Sequence, residues 1–418
     1  MLQLGKYSMG TGDRFMHQGK AQLDAIMEGS KLGKEIIPVW NKSYREHSIV
    51  KTKPESLRAE ADDAVKALNY DGAYFVDADH INGSIVDEFI DSHDFFTLDL
   101  AEFIGGSIDN SEIDSFVEKM RKFTGAILID GLKSPLELSV DIISRTAQLY
   151  LPAIREAGKI YRYVSDKKGE GNFVTEVSID ETSNPQTPDE LFIILAAISM
   201  EKIPLQTIAP KFSGEFCKGV DYIGDVDLFA REFEADLAVL DFAIKEFKLP
   251  YNLKLSVHSG SDKFSIYPII HNAIEKYDTG LHIKTAGTTW LEELIGLAES
   301  GREGLLITKE IYAGAMKRYD ELCKPYQSVI QIDPDNLPDP GKVKDWNGTE
   351  FANHLRHDQS CESYNINFRQ LLHLSYKLAA EMGDRFYNAL EENEETIAQN
   401  VTENILNRHI LPVFYGRE

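Results

Sequence analysis

The chain is poor in cysteine, lacks any long apolar run and is short of basic charge, and each shortage removes a class of protein. Cys217, Cys323 and Cys361 are far apart and odd in number. Neither a disulfide framework nor a CxxC zinc site follows from them, and a reducing, cytoplasmic setting is expected. The strongest apolar run, residues 191–198, is far shorter than the ~20 residues that span a bilayer. The first residues show no charged head followed by an apolar segment, so no secretion signal is expected. Lys and Arg number 44 against 68 Asp and Glu, a net charge of -24, which repels nucleic acid and anionic membrane surfaces. Internal repeats and low-complexity tracts are absent as well. An anionic substrate would have to be met by cations gathered locally.

What is present supports a large packed core: 43% of the 418 residues are hydrophobic and 10% aromatic. Eight short stretches with strand character, at 6–9, 35–40, 73–77, 95–100, 173–180, 205–209, 253–258 and 281–285, are mostly separated by helical runs. Thr187, Pro188 and Glu190 open one of these helices with a capping box. Phe229, Phe233, Leu237, Leu240, Ile244 and Phe247 give another an apolar face at three- and four-residue spacing. This alternation predicts a parallel α/β fold, and polar residues concentrated at strand ends favour a TIM-type (β/α)8 barrel over a doubly wound sheet. The expected barrel occupies residues 1–295, with a helical insertion around 101–170. A mainly helical C-terminal extension, 296–418, packs on it. Helices are expected near 86–90, 136–157, 370–385 and 388–406.

The chemistry gathers at strand ends. Leu253 to His258 and Leu281 to Thr285 alternate aliphatic and polar residues, so Lys254, Ser256 and His258 share one face, as do His282 and Lys284. Charge on the face of a buried strand needs water, a partner or a site. Asp77, Asp79 and His80 end the third strand, and in a barrel they converge with His258 and His282 over one mouth. Imidazoles with a carboxylate suit a divalent metal of the zinc, nickel or manganese type; alternatively His282 is a satisfied core histidine and Asp77 caps a turn. Glu176, which shares a face with Ser178 and Asp180, would have its pKa raised by burial and suit acid–base work, or else pair with Lys254 or Lys284. Arg14, Lys211, Lys254, Lys263 and Lys284 form a cationic set for a substrate carboxylate or phosphate, with Ser259 and Asp262 in the loop after His258. A lysine Schiff base is the competing use. His354, Arg356, His357 and Asp358 read as surface decoration.

Four strings carry a resemblance. They are Asp77-Ala78-Asp79-His80; Pro210-Lys211-Phe212-Ser213-Gly214 with Lys218-Gly219-Val220-Asp221-Tyr222; Ser256-Val257-His258-Ser259-Gly260-Ser261-Asp262-Lys263-Phe264; and His282-Ile283-Lys284-Thr285-Ala286-Gly287-Thr288-Thr289-Trp290. Together they resemble the tagaturonate epimerase family of hexuronate catabolism, over most of the chain and most densely across 205–295. The resemblance implies a small sugar-acid substrate and inversion at a carbon β to a ketone. A metal-assisted retro-aldol is the expected route, with His80, His258 and His282 holding the ion, Asp79 nearby, and Glu176, Asp77 and Lys284 as the catalytic groups. An aldolase or keto-aldose isomerase on a related sugar acid, or a non-catalytic sugar-acid sensor, are the alternatives. Homo-oligomeric assembly stays open.

Overall fold

The protein, represented by a computed structural model, is described over residues 2–285 and 287–417; Ala286 of the fourth string lies outside them. Eight parallel strands close into a barrel in chain order: β1 (Tyr7–Thr11), β2 (Ile36–Ser43), β3 (Phe75–Ile81), β4 (Phe95–Asp99), β5 (Val174–Ser178), β6 (Thr207–Ala209), β7 (Lys254–Val257) and β8 (Leu281–Lys284). Each strand pairs with its neighbour in sequence, and β8 closes on β1 through Tyr7 opposite Leu281 and Gly10 opposite Lys284. The predicted barrel is therefore the observed one.

The barrel interior is graded. Leu4, Ile37, Val39, Phe75, Phe95 and Val174 form an apolar cluster of their own, which plugs the end where the strands begin. Above it the inward positions turn polar: Ser8, Asp77, Thr97, Glu176, Ser256, His282 and Lys284 are all buried. Apolar side chains on the outer faces meet the surrounding helices in a large core, with Trp40 and Val76 packing on Leu23, Leu57, Ala61 and Ala64 in a smaller one. The helix Pro188–Met200 starts at the expected capping box, with Thr187 and Glu190 bonded reciprocally.

Four expected helices differ: the runs 370–385 and 388–406 are each broken, falling across Ile366–His373, Tyr376–Glu381, Asp384–Glu392 and Glu394–Glu403. After β3 the chain makes only a 3-10 turn, Val86–Glu88. The run 136–157 divides into Leu136–Leu138, which forms an antiparallel hairpin with Gly125–Ile127, and a helix, Val140–Lys168. After β8 the helix Thr288–Glu299 is buried on every side from Thr288 to Ala298, because Gly348–Leu355, Ile366–His373 and Glu394–Glu403 pack around it. The short helix Tyr376–Glu381 packs on Tyr44–Val50, at the mouth where β2 ends. Among the described residues no helix is long and apolar enough to cross a membrane.

Candidate active site

Lys284 enters the barrel from β8 and sits among the acids. Its neighbour in register is Gly10, where a Cβ would lie 3.1 Å from Lys284 Cγ and 3.2 Å from Asn41 Oδ1; the missing side chain leaves the lysine stem its path. Lys284 Nζ lies 2.8 Å from Asp77 Oδ2, 2.8 Å from Asp79 Oδ1, 2.9 Å from Glu176 Oε1 and 2.7 Å from Thr97 Oγ1. Burial alone would lower its pKa, but the three carboxylates raise it well above the ordinary lysine value. Burial also pushes the acids up, and here neighbours decide. Lys284 with His258 holds Glu176, and Lys284 with His80 holds Asp79, well below the usual carboxylate range. For Asp77 burial wins over Lys284, and its pKa rises to about 7. Raised proton affinity, expected for Glu176 from burial, belongs instead to Asp77.

Two histidines face this group, each fixed through one nitrogen by a carboxylate. His80 Nδ1 is 2.9 Å from Asp79 Oδ1, and His258 Nε2 is 2.7 Å from Glu176 Oε1. That leaves His80 Nε2 and His258 Nδ1 turned away from Asp79 and Glu176. The rings lie 5.2 Å apart between centroids. Asp180, just past β5, brings Oδ2 to 3.3 Å from His258 Nδ1 and accepts from the Ser178 hydroxyl. His80, Asp180 and His258 can each offer one ligand atom with all three atoms within 4.8 Å of one another.

The backbone is bent to achieve this. Strict alternation would send His80 to the face opposite Asp79. A register shift between Ala78 and Ile81 and a left-handed backbone at His80, φ 55, re-aim it. Ser259, directly after His258, is also left-handed, φ 47, and such conformations persist where surrounding structure enforces them. Burial lowers both imidazoles, but Asp79 raises His80 to about 10 and Asp180 raises His258 to about 9.

The donor set fits a divalent cation. Two imidazoles and one carboxylate with positions left for substrate suit zinc-, nickel- or manganese-like ions, and the Asp79–His80 and Glu176–His258 bonds are the outer contacts that orient such ligands. Among the described residues Glu176 Oε2 is buried without a hydrogen-bond partner, and His258 Nδ1 has only the 3.3 Å approach of Asp180, a pair of donor atoms that one cation can take together.

The remaining sequence candidates are distributed differently. His282 lies deeper in the barrel, with Nδ1 2.9 Å from Ser8 Oγ and its ring against Phe95. Burial lowers its pKa to about 3, and it stands outside the triad. Asp79 touches His80 and Lys284 rather than completing the triad. Lys211 donates to Thr182 O at 2.6 Å, Lys254 to the carbonyls of Gly5 and Lys6, and Lys263 to those of Cys217, Val220 and Ser261. These three amines tie loops and the barrel floor together. Asp262 is buried on Arg369, 2.7 Å away, beside His357, whose ring lies between Phe264 and Tyr364 rather than on the surface. Arg14 stays at the mouth. Asp180 is the residue absent from the expected ligand set; its signal in the sequence was the alternation that put it on the face of Glu176 and Ser178.

A model of the UxaE tagaturonate epimerase family matches residues 1–411. The chain belongs to the tagaturonate epimerase family. It is 28% identical over 419 aligned residues to a tagaturonate/fructuronate epimerase of Thermotoga maritima, covering 96% of this chain and 80% of that one. It is also similar to the native crystal structure of fructuronate-tagaturonate epimerase UxaE from Cohnella laeviribosi, at 25% identity and a TM-score of 0.78 over 99% of this chain and 82% of that one. A glycerol-complexed crystal structure of the same Cohnella protein, 24% identical with a TM-score of 0.79 and the same coverage, agrees in fold. The resemblance in the four strings thus extends over nearly the whole of this chain.

Proposed function

We propose that this epimerase interconverts D-tagaturonate and D-fructuronate by retro-aldol cleavage and re-addition at the His80–Asp180–His258 triad. The two keto-hexonates differ at the carbon β to the ketone. Its C–H bond is not acidified by the carbonyl, so enolisation alone cannot invert it. Breaking the bond between the α and β carbons can.

His80, Asp180 and His258 would hold a divalent cation, which would supply Lewis acidity for the ketone oxygen. Glu176, ionised and with Oε2 free, takes the proton of the β-hydroxyl as the carbon–carbon bond breaks. The bonding pair moves toward the ketone oxygen, leaving a three-carbon enediolate and a three-carbon aldehyde acid. Rotation presents the other face of the aldehyde, the enediolate carbon re-adds, and the proton returns to the new hydroxyl. Thr97 Oγ1 lies 2.9 Å from Asp77 Oδ1 and 3.2 Å from Glu176 Oε1, so Asp77 can exchange the proton with Glu176 through it. Lys284 keeps Glu176 ionised and adds positive potential where oxyanion charge develops.

The observation that carries this reading is a two-histidine, one-carboxylate triad joined through Asp79 and Glu176 to an ion-paired lysine in one polar chamber. A Schiff base at Lys284 is disfavoured, since an ammonium held protonated by three carboxylates is no nucleophile. Lys254, lowered to about 7 mainly by burial, is turned to the barrel floor. The test follows D-tagaturonate by NMR with metal-stripped and metal-restored enzyme. Fructuronate formed only after metal addition supports the proposal; turnover at confirmed zero metal overturns it. Deuterium on the β carbon separates the routes, because retro-aldol leaves that bond intact and transient oxidation breaks it with a primary isotope effect.

A further inference from the structure

Beside the triad, at the mouth, three cations gather. Arg14, from the loop after β1, places its guanidinium 4.3 Å from the Tyr376 ring centre and Nε 3.3 Å from Glu46 Oε1. It is 6% exposed, and its Nη1 is buried with no acceptor among the described residues. Arg45 lies over the Tyr326 ring at 5.1 Å, and the two tyrosine hydroxyls bond each other at 3.0 Å. Lys218, from the loop after β6, has no ion pair or side-chain hydrogen bond among the described residues. Burial lowers its pKa; Glu46 acts against that, while Arg14 and Arg45 add to it. Arg14 pairs with Glu46, and Glu46 and then Glu181 are the carboxylates that act on Lys218, in a protein of net charge -24.

The place of this group matters. Glu46 accepts from the Ser43 backbone at 3.0 Å, and Ser43 is the register partner of Asp79 across β2 and β3. Asp79 in turn holds His80. The cations thus stand one strand away from the triad, with Tyr326 and Tyr376 of the C-terminal helices walling the side opposite the barrel.

We propose that Arg14 and Lys218 bind the substrate carboxylate, and that Tyr376 fixes the Arg14 guanidinium for it. This rests on the triad as the reaction centre for a keto-hexonate and adds the element that selects a sugar acid over a neutral sugar. The buried guanidinium N–H without an acceptor and the unpaired Lys218 ammonium are two donors awaiting an anion. Glu46 meets Arg14 through Nε and leaves Nη1 for the substrate.

The experiment measures KM and kcat for D-tagaturonate in metal-loaded Arg14→Met and Lys218→Met enzymes, with inhibition by galactonate and by galactitol as its uncharged counterpart. Each variant is expected to raise KM and the galactonate inhibition constant about 10- to 100-fold, with kcat falling less and galactitol inhibition unmoved. Lys218→Arg should restore most of the loss. Lys218 is the less buried of the two, so its variant decides the matter if Arg14→Met fails to fold. Unchanged KM, or equal weakening of galactonate and galactitol, overturns the assignment. Conversion of D-tagaturonate by the unaltered enzyme is measured alongside, and its absence refutes the proposed function instead of the carboxylate site.

Discussion

Lys284→Met keeps most of the stem packed against Gly10 and removes only the ammonium. That charge now neutralises Asp79 and Glu176 at 2.8 and 2.9 Å, in a chamber where both carboxylates and the lysine are almost fully enclosed. Removing one partner of a buried ion pair costs about 3–5 kcal/mol, because the other is left desolvated. With an unfolding entropy of about 2.1 cal/mol/K per residue, a chain of this length converts that into a melting point lower by roughly 3–6 °C. The sign with pH follows from which state binds protons. Without the ammonium, burial pushes Asp77, Asp79 and Glu176 up in the folded state only. Where both states are protonated the penalty vanishes, and it grows as pH rises past the unfolded value of about 4. Calorimetric melting of parent and variant, both metal-free, at about pH 8 and about pH 5.5 should show the larger gap at the higher pH. Equal melting points at both values, or a gap that widens on acidification, would refute the role given to Lys284.

Asp180→Asn removes the only carboxylate of the triad and should weaken divalent-metal binding about a hundredfold or more, read as metal content after dialysis against a graded chelator. Metal binding should also strengthen with pH. His80 and His258, raised to about 10 and about 9, both carry protons near neutrality and must shed them, so affinity should climb about a hundredfold per unit between about pH 6 and about pH 8. A flat titration contradicts the histidine ligands. Glu176→Gln, assayed with metal content matched to the parent, should cut kcat by about 10²–10⁴; full turnover in that variant removes Glu176 from the proton path.

The eight strands were legible because each is a short apolar or alternating run whose neighbours in space are its neighbours in sequence. The capping box at Thr187 was legible for the same reason, since its partner Glu190 is three residues away. The helix expected after β3 failed because its apolar stretch is too short to gain from more than a single 3-10 turn. Residues 136–138 read as helix by periodicity, yet pairing with Gly125–Ile127 won.

The site divides along the same line. Residue types at strand ends, and the strings that mark the family, are properties of the sequence by itself, and they determined that carboxylates, imidazoles and lysines would crowd one mouth. Which of them meet was decided only by tertiary structure. Lys284 finds Asp77 across 207 residues of chain, and that contact depends on barrel closure and on the space left by Gly10. His80 reaches the triad through a bulge that breaks the alternation used to read the strand. Lys211, Lys254 and Lys263 look identical to Lys284 in sequence. The fold gives them backbone carbonyls and gives Lys284 three carboxylates, because a buried ammonium takes whatever acceptors the closed barrel places within its reach.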